Sequence, residues 1–152
     1  MDSNRDAPAA AASEALIAAP LNLVWSVQTN IGEWNRWNPE VSYVDLRGPL
    51  ALGTEFRWKS GGTSIVSTIR EIEPERRIAW TGRTLGIRAV HVWTFAEQQG
   101  GVLVRTEESF DGLVVRLFAG PMRRMLASSL EKGLHALRTE CERRFKVGGG
   151  KA

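Results

Sequence analysis

Two titratable side chains in this sequence sit where they could share a proton. His91 lies in "IRAVHVWTF" and Glu108 in "VLVRTEESF". Both segments alternate with the period of a half-buried strand. On the first, Ile87, Ala89, His91, Trp93 and Phe95 share one face, and Arg88, Val90, Val92 and Thr94 the other. Arg88 suits solvent, so the face with His91 is expected to point inward. The same count puts Val104, Thr106, Glu108 and Phe110 on the inner face of the second strand. A buried carboxyl beside an imidazole can hold a proton near neutral pH and act as acid or base. His91 and Glu108 are therefore the candidate catalytic pair. A structural reading stands beside this one: Glu108 closes a hydrogen-bond network and His91 is a core histidine with a satisfied partner. The other histidine, His135, lies between Leu134 and Leu137 but off the apolar stripe, and is expected at the surface.

Other chemistries find little support. The one cysteine, Cys141, cannot form an internal disulfide, and its apolar setting predicts packing. Two histidines and one cysteine lie far apart in the chain, with no C-x-x-C or H-E-x-x-H spacing, so no metal is expected. Neither glycine-rich phosphate-binding motif occurs, and no cofactor is expected. Twenty basic against seventeen acidic residues leave a net charge of +3, too small to argue nucleic-acid binding. No apolar run approaches the roughly 18 residues of a membrane span. The first residues have neither the basic start nor the apolar centre of a signal peptide, which predicts a cytoplasmic protein, monomeric or homodimeric.

The positive signal is aromatic. Six tryptophans occur among 152 residues, two of them three apart in "GEWNRWNPEV", as Trp34 and Trp37. Phe56 and Trp58 alternate with Glu55, Arg57 and Lys59, and Ile78 with Trp80, which turns all four inward. The elements that must hold them follow in order. "SEALIAAP" reads as a first strand, and "LNLVWSVQTN" as a helix entered through Pro20. "EWNRW" makes a turn or two before Asn38–Pro39 ends it. Strands follow in "VSYVDLR", "TEFRWKS", "TSIVSTIREI", "RRIAWTGR", "IRAVHVWTF" and "VLVRTEESF", with Gly61–Gly62 and Gly100–Gly101 turning hairpins. From Leu113 the period changes. Leu126, Leu130, Leu134, Leu137 and Cys141 form one face of a long helix that Gly120–Pro121 starts or kinks. Gly133 on its apolar side is expected to let the helix approach the sheet closely. Residues 1–12 and 147–152 read as disordered tails around one domain, 13–146.

Strands in a run before a helix predict an α+β fold. The order resembles the SRPBCC or START-like superfamily, the helix-grip fold, and more narrowly its polyketide cyclase/dehydrase-like branch. The segments that carry the resemblance are "APLNLVWSVQTNIGEWNRWNPEV", "GPLALGTEFRWKSGG", "IREIEPERRIAWTGR" and "HVWTF…GGVLVRTEESFDG", followed by the leucine-spaced helix, over about residues 13–145. It implies a curved antiparallel sheet of six to seven strands around the long C-terminal helix, with two short helices after the first strand. The W-x-x-W-x-P segment would close one end of that sheet.

The resemblance also implies a pocket for a hydrophobic or aromatic small molecule between sheet and helix. The aromatic and methionine-rich set fits such a pocket, and equally a solid core. Its expected lining is Trp37, Phe56, Trp58, Trp80, His91, Trp93, Thr106, Glu108, Leu117, Phe118, Met122 and Met125. Two alternatives remain open. One is a cyclase, aromatase or dehydratase working through His91 and Glu108. The other is a protein-interaction module of the Hsp90-activator-like type, which would need an exposed apolar patch.

Overall fold

The computed structural model describes residues 1–148. Seven antiparallel strands form one curved sheet: β1 (Ala9–Ile17), β2 (Val41–Leu46), β3 (Glu55–Ser60), β4 (Thr63–Glu73), β5 (Arg77–Thr84), β6 (Ile87–Gln98) and β7 (Gly101–Asp111). Their spatial order is β1-β7-β6-β5-β4-β3-β2. Every neighbour from β2 to β7 is joined by a short connection, and β1 closes on the far edge beside β7. Among the described residues there are four α-helices: α1 (Leu21–Thr29), α2 (Trp34–Trp37), α3 (Leu113–Leu117) and α4 (Ala119–Val147). A 3₁₀ turn, Ile31–Glu33, separates the first two. This is the α+β helix-grip architecture, with the short helices after the first strand and the long helix in the hand of the sheet.

Strand β1 starts at Ala9, four residues earlier than expected, so residues 9–12 are strand and not tail. Ala9, Ala10, Ala11 and Ala12 pair with Phe110, Ser109, Glu108 and Glu107. The ladder satisfies their backbone groups without needing bulky side chains. The register puts Ala9, Ala11, Ser13 and Ala15 on the concave face, and α4 approaches this strand more closely than any other. Small side chains permit that approach. Residues 1–8 lie against the convex face, where the Asn4 N–H donates to Ser109 Oγ at 3.0 Å and Asp2 pairs with Arg77 at 2.6 Å. Val92, Ala79 and Ser3 are buried on this side. At the other terminus α4 runs through Val147, and the rest of the expected tail, residues 149–152, lies outside the described residues.

The core fills only part of the grip. Leu134, Leu137 and Cys141 of α4 pack with Ile17, Val24, Val27, Ile31, Phe95, Val102 and Val104. Leu126 and Leu130 continue the stripe toward the helix start and are buried, yet they stand on the wall of a cavity instead of in that cluster. Gly133 does not serve close packing: a Cβ built there meets nothing within 4 Å. Helix α4 thus runs beside β1 along its length, from Arg123, which donates to the Pro8 carbonyl at 3.2 Å, to Glu142, which accepts from the Ala18 N–H at 2.9 Å. Only its second half is packed into the core cluster, and its first half spans a gap over the other strands. Among the described residues no helix is long and apolar enough to cross a membrane.

Leu137→Ala should therefore lower the unfolding free energy by about 2–5 kcal/mol, because it opens a hole in a fully packed site. Leu130→Ala should cost less, because its side chain already lacks neighbours on the cavity side. Chemical denaturation of both variants checks this, and equal losses would show that the two halves of α4 are packed alike.

Candidate functional site

The unfilled half of the grip is a cavity of about 530 Å³ between α4 and the strands β3 to β7. Strand alternation supplies its floor. Trp58, Ile65, Ser67, Trp80, Gly82, Ala89, His91, Trp93, Glu108 and Phe110 all face it, with Met122, Met125, Leu126 and Leu130 above. The α1–α2 segment closes one side with Gln28, Trp34 and Trp37.

Trp34 is the hub of that closure. Its indole N–H donates to the Gln28 carbonyl at 2.8 Å, and its ring meets Phe56, Trp58 and Trp80 at centroid separations of 5.6, 5.3 and 5.4 Å. Such edge-on and tilted contacts stabilise beyond the area they bury. Four aromatic rings from α2, β3 and β5 therefore lock one another, and Trp58 Nε1 is further held by Ser67 Oγ at 3.0 Å. Trp37, three residues on, is half-buried, and its Nε1 has no partner. Both tryptophans of W-x-x-W are on the cavity wall: the first fastens α2 to the sheet, and the second keeps an unpartnered indole nitrogen.

His91 and Glu108 are cross-strand neighbours on β6 and β7. His91 Nε2 lies 2.8 Å from Thr106 Oγ1, and Nδ1 lies 3.4 Å from Glu108 Oε2, outside hydrogen-bond geometry. The imidazole sits between Trp80 and Trp93, with centroids 5.0 and 5.5 Å away. Little in this setting solvates charge. Burial pushes the Glu108 carboxyl up to about 8 and the His91 imidazole down to about 3. At neutral pH the pair is a carboxylic acid beside a neutral imidazole, with one proton available to transfer.

Two buried nitrogens on the wall stand without a partner besides Trp37 Nε1: His91 Nδ1 and Trp93 Nε1. Unpaired buried polar groups are costly, and each is relieved by a partner placed in the cavity. Indole can only donate, so Trp93 and Trp37 call for an acceptor.

Eight of the twelve residues expected to line a pocket are on this wall: Trp37, Trp58, Trp80, His91, Trp93, Glu108, Met122 and Met125. The other four are elsewhere. Phe56 is wholly within the core, behind Trp34 and Trp80. Thr106 is fully buried and reaches the cavity only through His91. Leu117 and Phe118 point to solvent, because α3 is a separate turn that ends before α4 starts. The expected lining left out Gln28 and Ser67, and Trp34, expected only within the segment that closes one end of the sheet, is on the wall as well. For Ser67 the available signal was the alternation of β4, which puts Ile65, Ser67 and Ile69 on one face. His135 is exposed, as its position off the stripe predicts. Among the described residues no cluster of three or more His, Cys, Asp or Glu could hold a metal.

A curved sheet gripping a long helix over an apolar cavity defines the helix-grip class. The chain belongs to the polyketide cyclase/dehydrase and lipid transport family, whose sequence model matches residues 8–142. No curated protein sequence matches it. Solved structures share the fold at low identity. A hypothetical protein from Helicobacter pylori superposes with a TM-score of 0.80 at 16% identity, covering 90% of each chain. A START superfamily protein from Mycobacterium smegmatis gives 0.68 at 14% identity, over 88% of this chain and 97% of that one. The di-domain aromatase/cyclase StfQ of the steffimycin biosynthetic pathway gives 0.74 at 13%, over 89% of this chain and 51% of its own.

The shifted pair has a pH signature. Glu108 is protonated in the folded protein up to about pH 8 but ionises near the ordinary carboxyl value of 4.5 when unfolded, so its contribution is lost as pH rises between those values. His91 acts oppositely below the ordinary imidazole value of 6.5 and is silent above it. Between pH 6.5 and 8 only the Glu108 loss remains. Stability should fall there by about 2 kcal/mol, and Glu108→Gln should abolish the fall. Denaturant midpoints across this range check it; parallel curves for the two proteins would place an ionised carboxylate in the cavity.

Proposed function

We propose that the protein binds an uncharged, largely aromatic small molecule bearing at least one acceptor oxygen, in the cavity between sheet and α4. The observation that carries this reading is the pairing of an apolar wall with the unpartnered indole N–H of Trp93. A drug-sized apolar molecule fits the volume, and its burial supports affinity. One carbonyl or phenol oxygen would accept from Trp93 Nε1. The protonated Glu108 offers a donor without a charge that the ligand must neutralise. The family's description, with its cyclases and lipid transporters, agrees with a hydrophobic cargo.

Naphthols are suitable probes: apolar, aromatic and with one oxygen. They should bind with a dissociation constant on the order of micromolar, about −8 kcal/mol, and change tryptophan emission through Trp58, Trp80 and Trp93. Gly133→Leu is the sharpest control. It puts a side chain into empty space and removes a mid-helix glycine, so melting temperature should hold or rise while naphthol affinity falls at least tenfold, by roughly 1.4 kcal/mol or more. Unchanged affinity in a folded Gly133→Leu protein would locate binding elsewhere.

A second reading is favoured by the His91–Glu108 pair. The acid could protonate a bound carbonyl or leaving hydroxyl while the imidazole accepts a proton, as a cyclisation or dehydration requires. In that case Glu108→Gln, which keeps the shape, and His91→Phe, which keeps the bulk, should each remove turnover of a polyketide-like substrate while naphthol binding persists. Retained turnover in either variant would reduce the pair to wall residues.

A further inference from the structure

Five strongly exposed apolar side chains gather at the end of the molecule where the cavity opens. Leu85 is 86% exposed, Leu113 73%, Leu117 69%, Phe118 58% and Met125 53%. The fold brings them together through one tight contact. Gly112 (φ 131°), at the entry to α3, lies against the Gly86 carbonyl so closely that a Cβ would overlap it. The β5–β6 turn carrying Leu85 therefore abuts the corner carrying Leu113, Leu117 and Phe118. Leu85 and Met125 also stand on the cavity rim.

Charge at this end is one-sided. Residues 112–130 contain Arg116, Arg123 and Arg124 and no carboxylate, and Arg83 and Arg88 flank the turn. All five arginines are exposed. Asp111 is already engaged by Arg88 and Arg116, each at 3.5 Å. Side chains this exposed have few neighbours of their own and form knobs on a turn and a helix corner. A lipid bilayer accepts such knobs without matching their shape, and anionic headgroups complement the arginines.

We propose that this end docks on an anionic membrane surface, with Leu85, Leu113, Leu117 and Phe118 entering the interface and the arginines meeting the headgroups. The cavity rim then faces the bilayer, so an apolar ligand passes between membrane and protein without crossing water. The surface claim goes beyond the binding reading and is testable apart from it.

The experiment is co-sedimentation of the full chain with vesicles of phosphatidylcholine alone and of phosphatidylcholine mixed with phosphatidylglycerol. The protein should partition onto the mixed vesicles, more weakly onto the neutral ones, and less as salt rises. Leu117→Asp and Phe118→Asp lie off the cavity wall at exposed positions. Each should lower partition by about tenfold or more, with melting temperature and naphthol affinity unchanged. Arg116→Glu should weaken binding to the mixed vesicles selectively. The proposal is overturned if the wild-type protein ignores anionic vesicles, or if its binding is indifferent to Leu117→Asp and Phe118→Asp. Self-association that Phe118→Asp abolishes, without vesicle binding, would also overturn it and make the patch a protein interface. Naphthol titration of the same samples separates a failure of docking from a failure of the cavity reading.

Discussion

Everything in this molecule depends on where α4 is clamped. Its second half is fixed by Leu134, Leu137 and Cys141 against the closed end of the sheet, and it leans on the small side chains of β1. Its first half carries the same apolar spacing and stays beside β1 through Arg123 and Pro8, but it faces a cavity where the second half faces the core cluster. Gly133 opens on empty space, and Leu126 and Leu130 become wall. A close-packed interior would be the ordinary outcome for such a stripe. Here the aromatic plug built on Trp34 supports the α1–α2 side of the gap, so the space is bounded by rings that hold one another and do not need the missing atoms.

The electrostatics follow from that geometry. Trp80 and Trp93 flank His91, and little around the pair rewards charge, so burial drives Glu108 and His91 toward their neutral forms. On the proposed reading, a neutral apolar wall with donor groups left over favours a polarised, uncharged oxygen on an aromatic frame over a charged ligand. The same proton that makes Glu108 a donor for binding makes it a candidate acid for chemistry. On the proposed reading, binding and catalysis would be successive demands on one arrangement, and the orientation of a bound oxygen relative to Glu108 would decide between them.

Much of the fold was legible because large side chains alternate on the strands. Phe56–Trp58, Ile78–Trp80 and His91–Trp93 announced their inner faces, and the leucine spacing announced α4. What escaped notice had no bulk to signal it. Ala9 to Ala12 look like a featureless tail, yet their smallness is what lets α4 come close to β1. Gly133 reads as a contact residue, and only the standoff of the helix turns it into cavity wall. Leu117 and Phe118 are apolar and adjacent to the right helix, but the break between α3 and α4 turns them outward. Trp34 and Trp37 share a motif, and their division of labour rests on the Gln28 carbonyl, which no side-chain pattern reveals.

The central claim is that the space beneath the first half of α4 is open and receives an uncharged aromatic ligand at Trp93. The six indole N–H resonances report this directly in a nitrogen–proton NMR titration with a naphthol. Trp93 and Trp37, whose indole nitrogens are unpartnered on the wall, should shift most. Trp25, stacked edge-on against Phe95 away from the cavity, should stay in place. Saturating shifts confined to the cavity tryptophans are the predicted result. No shift at Trp93, or a change led by Trp25, would contradict the account.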